Sequence, residues 1–193
     1  MMMKIIHIVS GDKNSGAFKG AYLLHKGLIN QGINSIILNN SSIDQLRDLK
    51  NVNTTNNKFY KLFFFKILQV IDKFPKLFFF ARRKTTFSSN FVKNFFINKE
   101  DFSQFDIVHL HWINKSMLNL NQIIEINKPI VWTFRDMWPF TGGCHYTLEC
   151  KKYVSKCGNC PQLRSKLSYD LSTILFNYKK NFFKKKEIYL CSV

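Results

Sequence analysis

Residues 4–38, KIIHIVSGDKNSGAFKGAYLLHKGLINQGINSIIL, decide the fold class. Lys4–Val9 and Ser35–Leu38 are short apolar runs rich in β-branched residues, which predicts two buried strands. The segment between them predicts a helix over Gly16–Gln31, which Gly32 ends. The apolar residues spaced along one face of that helix are Ala17, Ala21, Leu24 and Leu28. A strand, a loop, a helix and a second strand in this order open a parallel α/β sheet.

The same alternation of strand and helix continues to the end of the chain. The further strands that the pattern predicts are Asp106–His111, Pro129–Phe134 and Glu187–Ser192, with helices over Leu118–Ile126 and from about Ser165 to Lys185. Residues 39–57 predict a polar connection with a short helix near Ile43–Leu49. The whole of residues 1–193 is therefore expected to be a single α/β domain with a doubly wound parallel, Rossmann-like sheet.

Residues 58–83 form a segment that is both basic and aromatic. Pro75 predicts a division into two helices, Lys58–Phe74 and Lys76–Arg83. Its most apolar window, Phe59–Ala81, is interrupted by lysines and one aspartate, so it is too polar to be a membrane-spanning helix. No signal peptide is visible at the start of the chain. We therefore expect a cytoplasmic protein with cysteines that stay reduced. Peripheral contact with the inner face of the cell membrane remains open.

The chain carries a formal net charge of +17, and hydrophobic residues make up 46% of it. Such a composition predicts a globular domain with a basic surface. A solvated surface, an anionic membrane, a phosphorylated ligand and nucleic acid are all compatible with this charge. Because lysine is spread over nearly the whole length and forms no single block, no nucleic-acid partner is expected.

The loop between the first strand and the first helix places Gly11, Gly16 and Gly20 near a helix N-terminus. Glycines there let a ligand approach the backbone, and the free N–H groups favour an anion. The spacing matches neither G-x-G-x-x-G nor the P-loop motif. A ligand-binding loop and an ordinary turn before a helix therefore both remain open.

Polar residues follow two predicted strands at the edge where ligands bind in parallel sheets. His109 and His111 share one face of their strand, and His111 is nearer the tip, so His109 is expected to be a hydrogen-bonded core histidine. Arg135 and Asp136 end the neighbouring strand. We predict His111, Arg135 and Asp136 as the catalytic residues, which would suit a phosphorylated or hydroxyl-bearing ligand. A structural ion pair at the strand ends is the alternative.

Four cysteines lie in a Cys-rich loop over residues 136–163, namely Cys144, Cys150, Cys157 and Cys160. The last two have the C-x-x-C spacing of a metal knuckle, and four thiolates satisfy a closed tetrahedral zinc site. We predict a structural zinc there and no catalytic metal. Two alternatives remain open: His145 could replace one cysteine as a ligand, or the cysteines could be unliganded or redox-active. Cys191 is expected to be a small buried apolar residue.

Four stretches taken in order resemble the N-terminal domain of family-4 glycosyltransferases, which have two Rossmann domains (the B-type fold), in the branch that assembles bacterial polysaccharide and O-antigen. They are SGAFKGAYLLHKGL (15–28), DIVHLHWIN (106–114), KPIVWTFRDMWPFTGGCHY (128–146), and CGNCPQL (157–163) followed by DLS (170–172). The resemblance covers nearly the whole chain.

The resemblance implies transfer of a sugar from a nucleotide-sugar to a polysaccharide or lipid-linked acceptor, usually with retention and without an obligatory catalytic metal. It places the glycine loop beside the donor phosphates, so Gly16, Lys19 and Gly20, together with Trp112, are expected to bind substrate. Many relatives have histidine at the position of Arg135. Arginine cannot act as a base near neutral pH, so a role in binding phosphate or hydroxyl groups is the expectation that remains.

The family fold includes a second Rossmann domain that carries most donor contacts, and a chain of this length is expected to lack it. The resemblance therefore implies half of an enzyme, inactive alone, with a second chain as a possible source of the donor domain. A non-enzymatic module that binds membranes or polyanions is the alternative function. A zinc-stabilised nucleic-acid binder is a third.

Overall fold

A computed structural model describes residues 2–56, 59–79, 82–83 and 85–192. The strands are β1 (Lys4–Ile8), β2 (Asn34–Ser42), β3 (Val52–Asn56), β4 (Ile107–Leu110), β5 (Ile130–Phe134) and β6 (Tyr189–Ser192). The α-helices are α1 (Gly16–Asn30), α2 (Ile43–Leu46), α3 (Phe59–Leu77), α4 (Leu120–Ile124) and α5 (Leu171–Lys185). Short 3-10 helices lie at Lys99–Phe102, Trp138–Phe140 and Lys152–Val154.

The six strands form one sheet in the order β3-β2-β1-β4-β5-β6, and every pairing is parallel. The order reverses direction between β1 and β4, which is the switch point of a doubly wound fold. The predicted Rossmann-like α/β domain is therefore confirmed. At the switch point the chain pairs His7 with His109 in register.

The two faces of the central strands carry different side chains. Ile6, Ile8, Val108 and Leu110 alternate onto one face and pack in a cluster with Phe182 of α5. The opposite face carries His7 and His109 and lies under α1, where His25 donates or accepts a hydrogen bond with Ser35 at 2.7 Å. The core on one side of the sheet is thus apolar, whereas the layer beneath α1 combines hydrogen-bonded histidines with an apolar cluster of Val9, Phe18, Ala21, Ile37 and Leu46.

Several predicted elements differ from the structure in the first half of the chain. Residues 39–57 were expected to be a connection with one short helix, but β2 runs on to Ser42 and Val52–Asn56 forms an edge strand. The sequence did not reveal β3 because its side chains are mostly polar, and a strand at the edge of a sheet needs little alternation of apolar and polar residues. The buried face of α1 is formed by Phe18, Ala21 and His25, whereas Leu24 is exposed.

The predicted break at Pro75 is wrong, since α3 continues through it to Leu77. The separate helix predicted over Lys76–Arg83 is also wrong, because none of the described residues after Leu77 in that range is helical. Proline removes only one backbone donor, and Pro75 lies in the last turn of α3, so little of the helix depends on the hydrogen bond that is lost. Of the predicted helical segment, Lys58, Phe80 and Ala81 lie outside the described residues, as do Met1 and Val193 of the predicted domain.

Helices α4 and α5 begin later than predicted because side chains cap them. Asn119 accepts a hydrogen bond from Gln122 N, and the carboxylate of Asp170 accepts from Ser172 N and Thr173 N. The prediction for Cys191 is wrong: this residue is exposed, because β6 lies at the edge of the sheet with all four residues exposed.

The Cys-rich loop is held against α5 by buried side chains. The carboxylate of Asp170 accepts a hydrogen bond from Cys160 N at 3.0 Å, and Thr173 Oγ1 donates to Cys157 O at 3.0 Å. Further along α5, the ammonium of Lys179 donates to Trp138 O and Thr141 O at 2.5 and 2.9 Å. None of the described helices combines the length and the apolar character that crossing a bilayer requires.

Candidate functional site

A cleft of about 640 Å³ opens at the carboxyl edge of the sheet, over the ends of β1, β4 and β5. This volume lies within the usual range for small-molecule sites. The residues that line it are Gly11, Asp12, Ser15, Gly16, Ala17, Thr86, Trp112, Lys115, Arg135, Asp136, His145 and Tyr146. The cleft therefore lies where a doubly wound sheet binds its ligands.

The loop between β1 and α1 is held rigidly by polar side chains at the end of β2. Asn39 Nδ2 donates to Val9 O and Gly11 O at 2.7 and 3.0 Å, and Gly11 N donates to Asn40 Oδ1 at 3.0 Å. Gly11 has a φ of +105°, which strongly favours glycine. These contacts hold the start of α1 at the floor of the cleft.

The first turn of α1 presents backbone donors to the cleft. Ser15 caps the helix and accepts a hydrogen bond from Phe18 N, while the amides of Gly16 and Ala17 belong to the turn that has no intrahelical partners. No acidic side chain lies in this turn to neutralise the helix dipole. A Cβ added at Gly16 would meet nothing within 4 Å, so this glycine faces open space. The arrangement favours an anion.

The carboxylate of Asp136 is the centre of the far wall of the cleft. It accepts hydrogen bonds from Trp112 Nε1 at 2.8 Å, His145 Nδ1 at 2.6 Å and Trp138 N at 2.9 Å. Burial by itself would raise the pKa of Asp136, but the hydrogen bonds from these groups outweigh burial and lower it from the ordinary 3.8. Asp136 therefore stays ionised and holds its neighbours in place.

His145 continues from Asp136 to Ser88, whose hydroxyl lies 2.9 Å from His145 Nε2. The order of carboxylate, imidazole and hydroxyl matches a nucleophilic triad. Ser88 does not line the cleft, however, and its backbone N–H donates to Gly143 O. We interpret the three side chains as a structural brace between the Cys-rich loop and residues 85–92. Both ring nitrogens of His145 are therefore occupied, one by Asp136 and the other by Ser88.

Arg135 begins a chain of hydrogen bonds that leads into the polar layer beneath α1. Its Nη2 lies 3.2 Å from His111 Nδ1, and His111 Nε2 lies 3.1 Å from His7 Nδ1. A guanidinium only donates, so His111 Nδ1 accepts and His111 Nε2 donates to His7. His7 Nε2 then carries a proton and is a buried atom without a hydrogen-bond partner.

His7, His109 and His111 of this layer are neutral. Burial, followed by the charges of neighbouring histidines, lowers the pKa of His7 to about 3, and the same causes lower the pKa of His111. Burial followed by the charge of Arg135 lowers the pKa of His109 to about 4. His109 Nε2 lies 2.8 Å from Thr133 Oγ1, which confirms it as a hydrogen-bonded core histidine.

Four of the residues predicted to act at the site line the cleft together: Gly16, Trp112, Arg135 and Asp136. His111 lies beneath Arg135 and is 2% exposed. Lys19 is exposed on α1 and does not line the cleft. A Cβ at Gly20 would lie 2.5 Å from Arg135 Nη1, so this glycine makes room for the guanidinium. Arg135 and Asp136 bind different partners and form no ion pair with each other.

Sequence reasoning missed Asn39, Asn40, Lys115 and the role of His145. The asparagines lie in a polar run at the end of a strand, which is the signal that could have identified them. Lys115 lies 5.5 Å from the centre of the Trp112 ring and has a φ of +56°, so it stands at the cleft in a left-handed turn.

The four cysteines of the loop line a separate, much smaller cavity of about 20 Å³. All are free thiols, and Cys157 and Cys160 are buried. Burial raises the pKa of Cys157 to about 12 and raises the pKa of Cys144 and Cys160. Among the described residues, the group whose potential ligand atoms all lie within 4.8 Å is His7, His109 and His111. The zinc on the cysteines remains a prediction.

The ionised Asp136 predicts a measurable dependence of stability on pH. Because its pKa is lower in the folded than in the unfolded chain, its contribution is present above pH 4 and is lost as the pH falls through the lowered value. At pH 7 we expect Asp136→Asn to lower the free energy of unfolding by about 1–3 kcal/mol. Urea unfolding between pH 7 and pH 3 should show this difference shrinking in acid.

Asp44→Asn is the matched control, since the Asp44 side chain is 76% exposed. It should change the free energy of unfolding little at any pH. A difference between wild type and Asp136→Asn that stays constant down to pH 3 would contradict the account of Asp136.

Comparison with known proteins identifies one partial relationship. Over 65 residues the chain is 34% identical to a protein of Escherichia coli (strain K12), WcaC, described as a colanic acid biosynthesis glycosyl transferase. The match covers 32% of this chain and only 16% of the length of that relative. No family model matches the chain, and no solved structure matches it. Over the matched stretch the chain is related to a glycosyltransferase.

Proposed function

We propose that the cleft binds the diphosphate of a nucleotide-sugar and that the chain forms the acceptor-side domain of a family-4 glycosyltransferase in bacterial polysaccharide assembly. The observation that carries this proposal is the convergence of cationic groups and free helix amides at the carboxyl edge of the sheet. The partial relationship to a glycosyltransferase supports the choice of a nucleotide-sugar over other phosphorylated ligands.

Three groups would contact the diphosphate. Arg135 supplies a guanidinium, which can bind two phosphate oxygens at once. Lys115 supplies a second cation from the loop that follows β4, and the amides of Gly16 and Ala17 add the helix N-terminus. All of these residues line one cleft. A negative charge that grows on a leaving diphosphate would be stabilised by the same groups.

The reaction needs no protein base among these residues. The bond between the anomeric carbon and the β-phosphate oxygen breaks, and a new bond forms to the acceptor hydroxyl oxygen. The proton of that hydroxyl leaves with the diphosphate or into solvent. Arg135 cannot take the proton, and Asp136 is held by three donors. We therefore assign both to binding and positioning, with Trp112 fixed by Asp136 as a platform for the sugar.

A second function, docking to an anionic membrane, rests on α3. Its exposed face is almost entirely apolar over five turns. The exposed residues of that face are Tyr60, Phe63, Phe64, Ile67, Val70, Ile71, Phe74 and Leu77. They recur every three or four positions, as in helices that lie in the membrane interface.

Lysines border this apolar face, which favours an anionic bilayer over an apolar protein surface. On a helical projection, the exposed Lys66 and Lys73 flank one side and Lys61 flanks the other. Phe65, Leu68 and Asp72 face the protein and are buried. Lysine stems can lie along the membrane while their ammonium groups reach lipid phosphates. We propose a bilayer as the occupant.

The structure connects α3 to the cleft through residues 87–92. The carboxylate of Asp72 accepts hydrogen bonds from the backbone amides of Asn90 and Phe91 at 3.2 and 2.9 Å. Ser89 Oγ donates to Asp72 O, and the next residue towards the cleft, Ser88, reaches His145. Docking by α3 would thus set the distance between the cleft and the bilayer, as a lipid-linked acceptor requires.

The diphosphate assignment predicts the effect of removing the guanidinium. Arg135→Gln should lower the affinity for uridine diphosphate, or for inorganic pyrophosphate, by about tenfold or more, because a charge-assisted contact is lost. Isothermal titration calorimetry measures both ligands. Arg47→Gln is the matched control, since the Arg47 side chain is 74% exposed and lies outside the cleft. Equal affinities of wild type and Arg135→Gln would contradict the assignment.

The membrane assignment predicts selective binding to anionic vesicles. At low salt the protein should co-sediment with vesicles of phosphatidylcholine and phosphatidylglycerol, and much less with phosphatidylcholine alone. Ile67→Asp should weaken this binding by at least about tenfold, since it puts a charge at the centre of the apolar face. Leu23→Asp is the matched control, because Leu23 is 69% exposed on α1.

Equal binding to both kinds of vesicle would remove the membrane proposal. So would a dimer in analytical ultracentrifugation that Ile67→Asp dissociates, because α3 would then pair two copies of the chain.

A further inference from the structure

The cavity between the four cysteines of the Cys-rich loop has a size that suits one ion. At about 20 Å³ it exceeds the space that a single water molecule needs and is far too small for an organic ligand. Cys144, Cys150, Cys157 and Cys160 all line it. Cys144 lies in an isolated bridge with Phe87, whereas Cys150, Cys157 and Cys160 lie in the irregular part of the loop, so their convergence depends on the fold.

The backbone around the last two cysteines is shaped to direct amides at sulfur. Gly158 and Asn159 have φ values of +141° and +44°, and a Cβ at Gly158 would collide with Ser168 O. The N–H groups of Gln162 and Leu163 face the sulfur of Cys160, and the N–H of Gly142 faces that of Cys157. Backbone amides facing sulfur favour the thiolate, which is the form that binds metal.

Lys179 of α5 lies within electrostatic range of Cys144 and Cys157, although it does not itself line the cavity. It is 2% exposed, its ammonium lies 3.8 Å from the centre of the Trp138 ring, and it donates to two backbone carbonyls. Within the described part of the chain, no carboxylate lies within ion-pair distance of it. Burial lowers the pKa of Lys179 to about 7, and the acidic groups that oppose this shift are the thiols of Cys144 and Cys157 and the carboxylate of Asp136, in that order. A buried cation without a paired anion is costly, so this position calls for negative charge nearby.

The histidine group is a weaker metal site, although its ring nitrogens lie closer together. His111 Nδ1 accepts from Arg135, and its other nitrogen is occupied by His7. The rings of His109 and His111 are stacked with centroids 4.3 Å apart, so one ion cannot lie in both ring planes. A dication there would also be repelled by the guanidinium of Arg135.

We propose that Cys144, Cys150, Cys157 and Cys160 bind one Zn²⁺ as a tetrathiolate and that Lys179 is its buried counter-cation. Four thiols release four protons to solvent as the metal enters, which leaves the site with a charge of −2 beside one ammonium. The sulfur atoms of the cysteines lie farther apart than the nitrogens of the three histidines, which are all within 4.8 Å of one another. Metal binding would therefore draw the four sulfur atoms closer together. The site has no open position for a substrate and braces the loop beside the cleft.

The first test is the metal content of the purified chain. Elemental analysis should find about one zinc per chain in wild type, and much less than that in Cys157→Ser and Cys160→Ser. Cys191→Ser is the matched control, because Cys191 is the exposed fifth cysteine, and it should keep its zinc. His109→Asn should also keep it. Loss of zinc in His109→Asn but not in Cys157→Ser would move the site to the histidines.

Spectroscopy of the wild-type chain tests the same site without relying on the folding of the cysteine variants. Replacement of zinc by Co²⁺ should give the charge-transfer absorption of cobalt bound to thiolates. After removal of metal and denaturation, a thiol reagent should count five free thiols. No zinc in the wild type, or a thiol count reduced by disulfides, would overturn the site.

Lys179→Met tests the counter-cation, with Lys180→Met, on the exposed side of α5, as its control. In competition with a chromogenic chelator, Lys179→Met should bind zinc about tenfold or more weakly than wild type, since it loses a buried opposite charge. Equal affinity in the two lysine variants would remove this role. None of these readouts depends on nucleotide binding, so zinc and the proposed sugar transfer can fail separately.

Discussion

The carboxylate of Asp136 is the interaction on which the arrangement of the cleft depends. It joins the end of β4 through Trp112, the end of β5 through its own backbone, and the Cys-rich loop through His145 and Trp138. A buried carboxylate stays ionised only if its oxygens accept hydrogen bonds, and three donors provide them here. The same bonds fix the indole of Trp112 and leave Arg135 free to turn towards His111. Electrostatics at one residue thus orders two walls of the cleft.

The loop beside this carboxylate is held by constraints on shape as well as on charge. Gly142 and Gly143 lie where a Cβ would collide with Ser172 and with the Phe87 ring. Helix α5 fixes the same loop twice, through Asp170 at its N-terminus and through the buried Lys179. The fold therefore positions the cysteines even before a metal is considered. A zinc ion would tighten the middle of the loop around Cys150, which is far from these anchors in sequence.

The sequence was sufficient for the parts of the fold that follow a strong period. Lys4–Ile8, Ile107–Leu110 and Ile130–Phe134 are buried on both faces, so their apolar runs were unmistakable, and the loops after them predicted the edge that carries the cleft. Val52–Asn56 was missed because an edge strand of polar residues has no such period. The prediction at Pro75 failed because the last turn of a helix tolerates a missing backbone donor. The hydrogen-bond chain from Arg135 to His7 depends on tertiary distances that no local pattern records.

The edge formed by the start of α1, Trp112 and Arg135 is the proposed diphosphate site. Hydrogen–deuterium exchange of the chain with and without uridine diphosphate tests this directly. We expect slower exchange of the amides of Gly16 and Ala17 and of residues 135–146, and unchanged exchange in α3. Unchanged exchange at the start of α1 under saturating ligand would contradict it, and so would protection confined to another part of the chain.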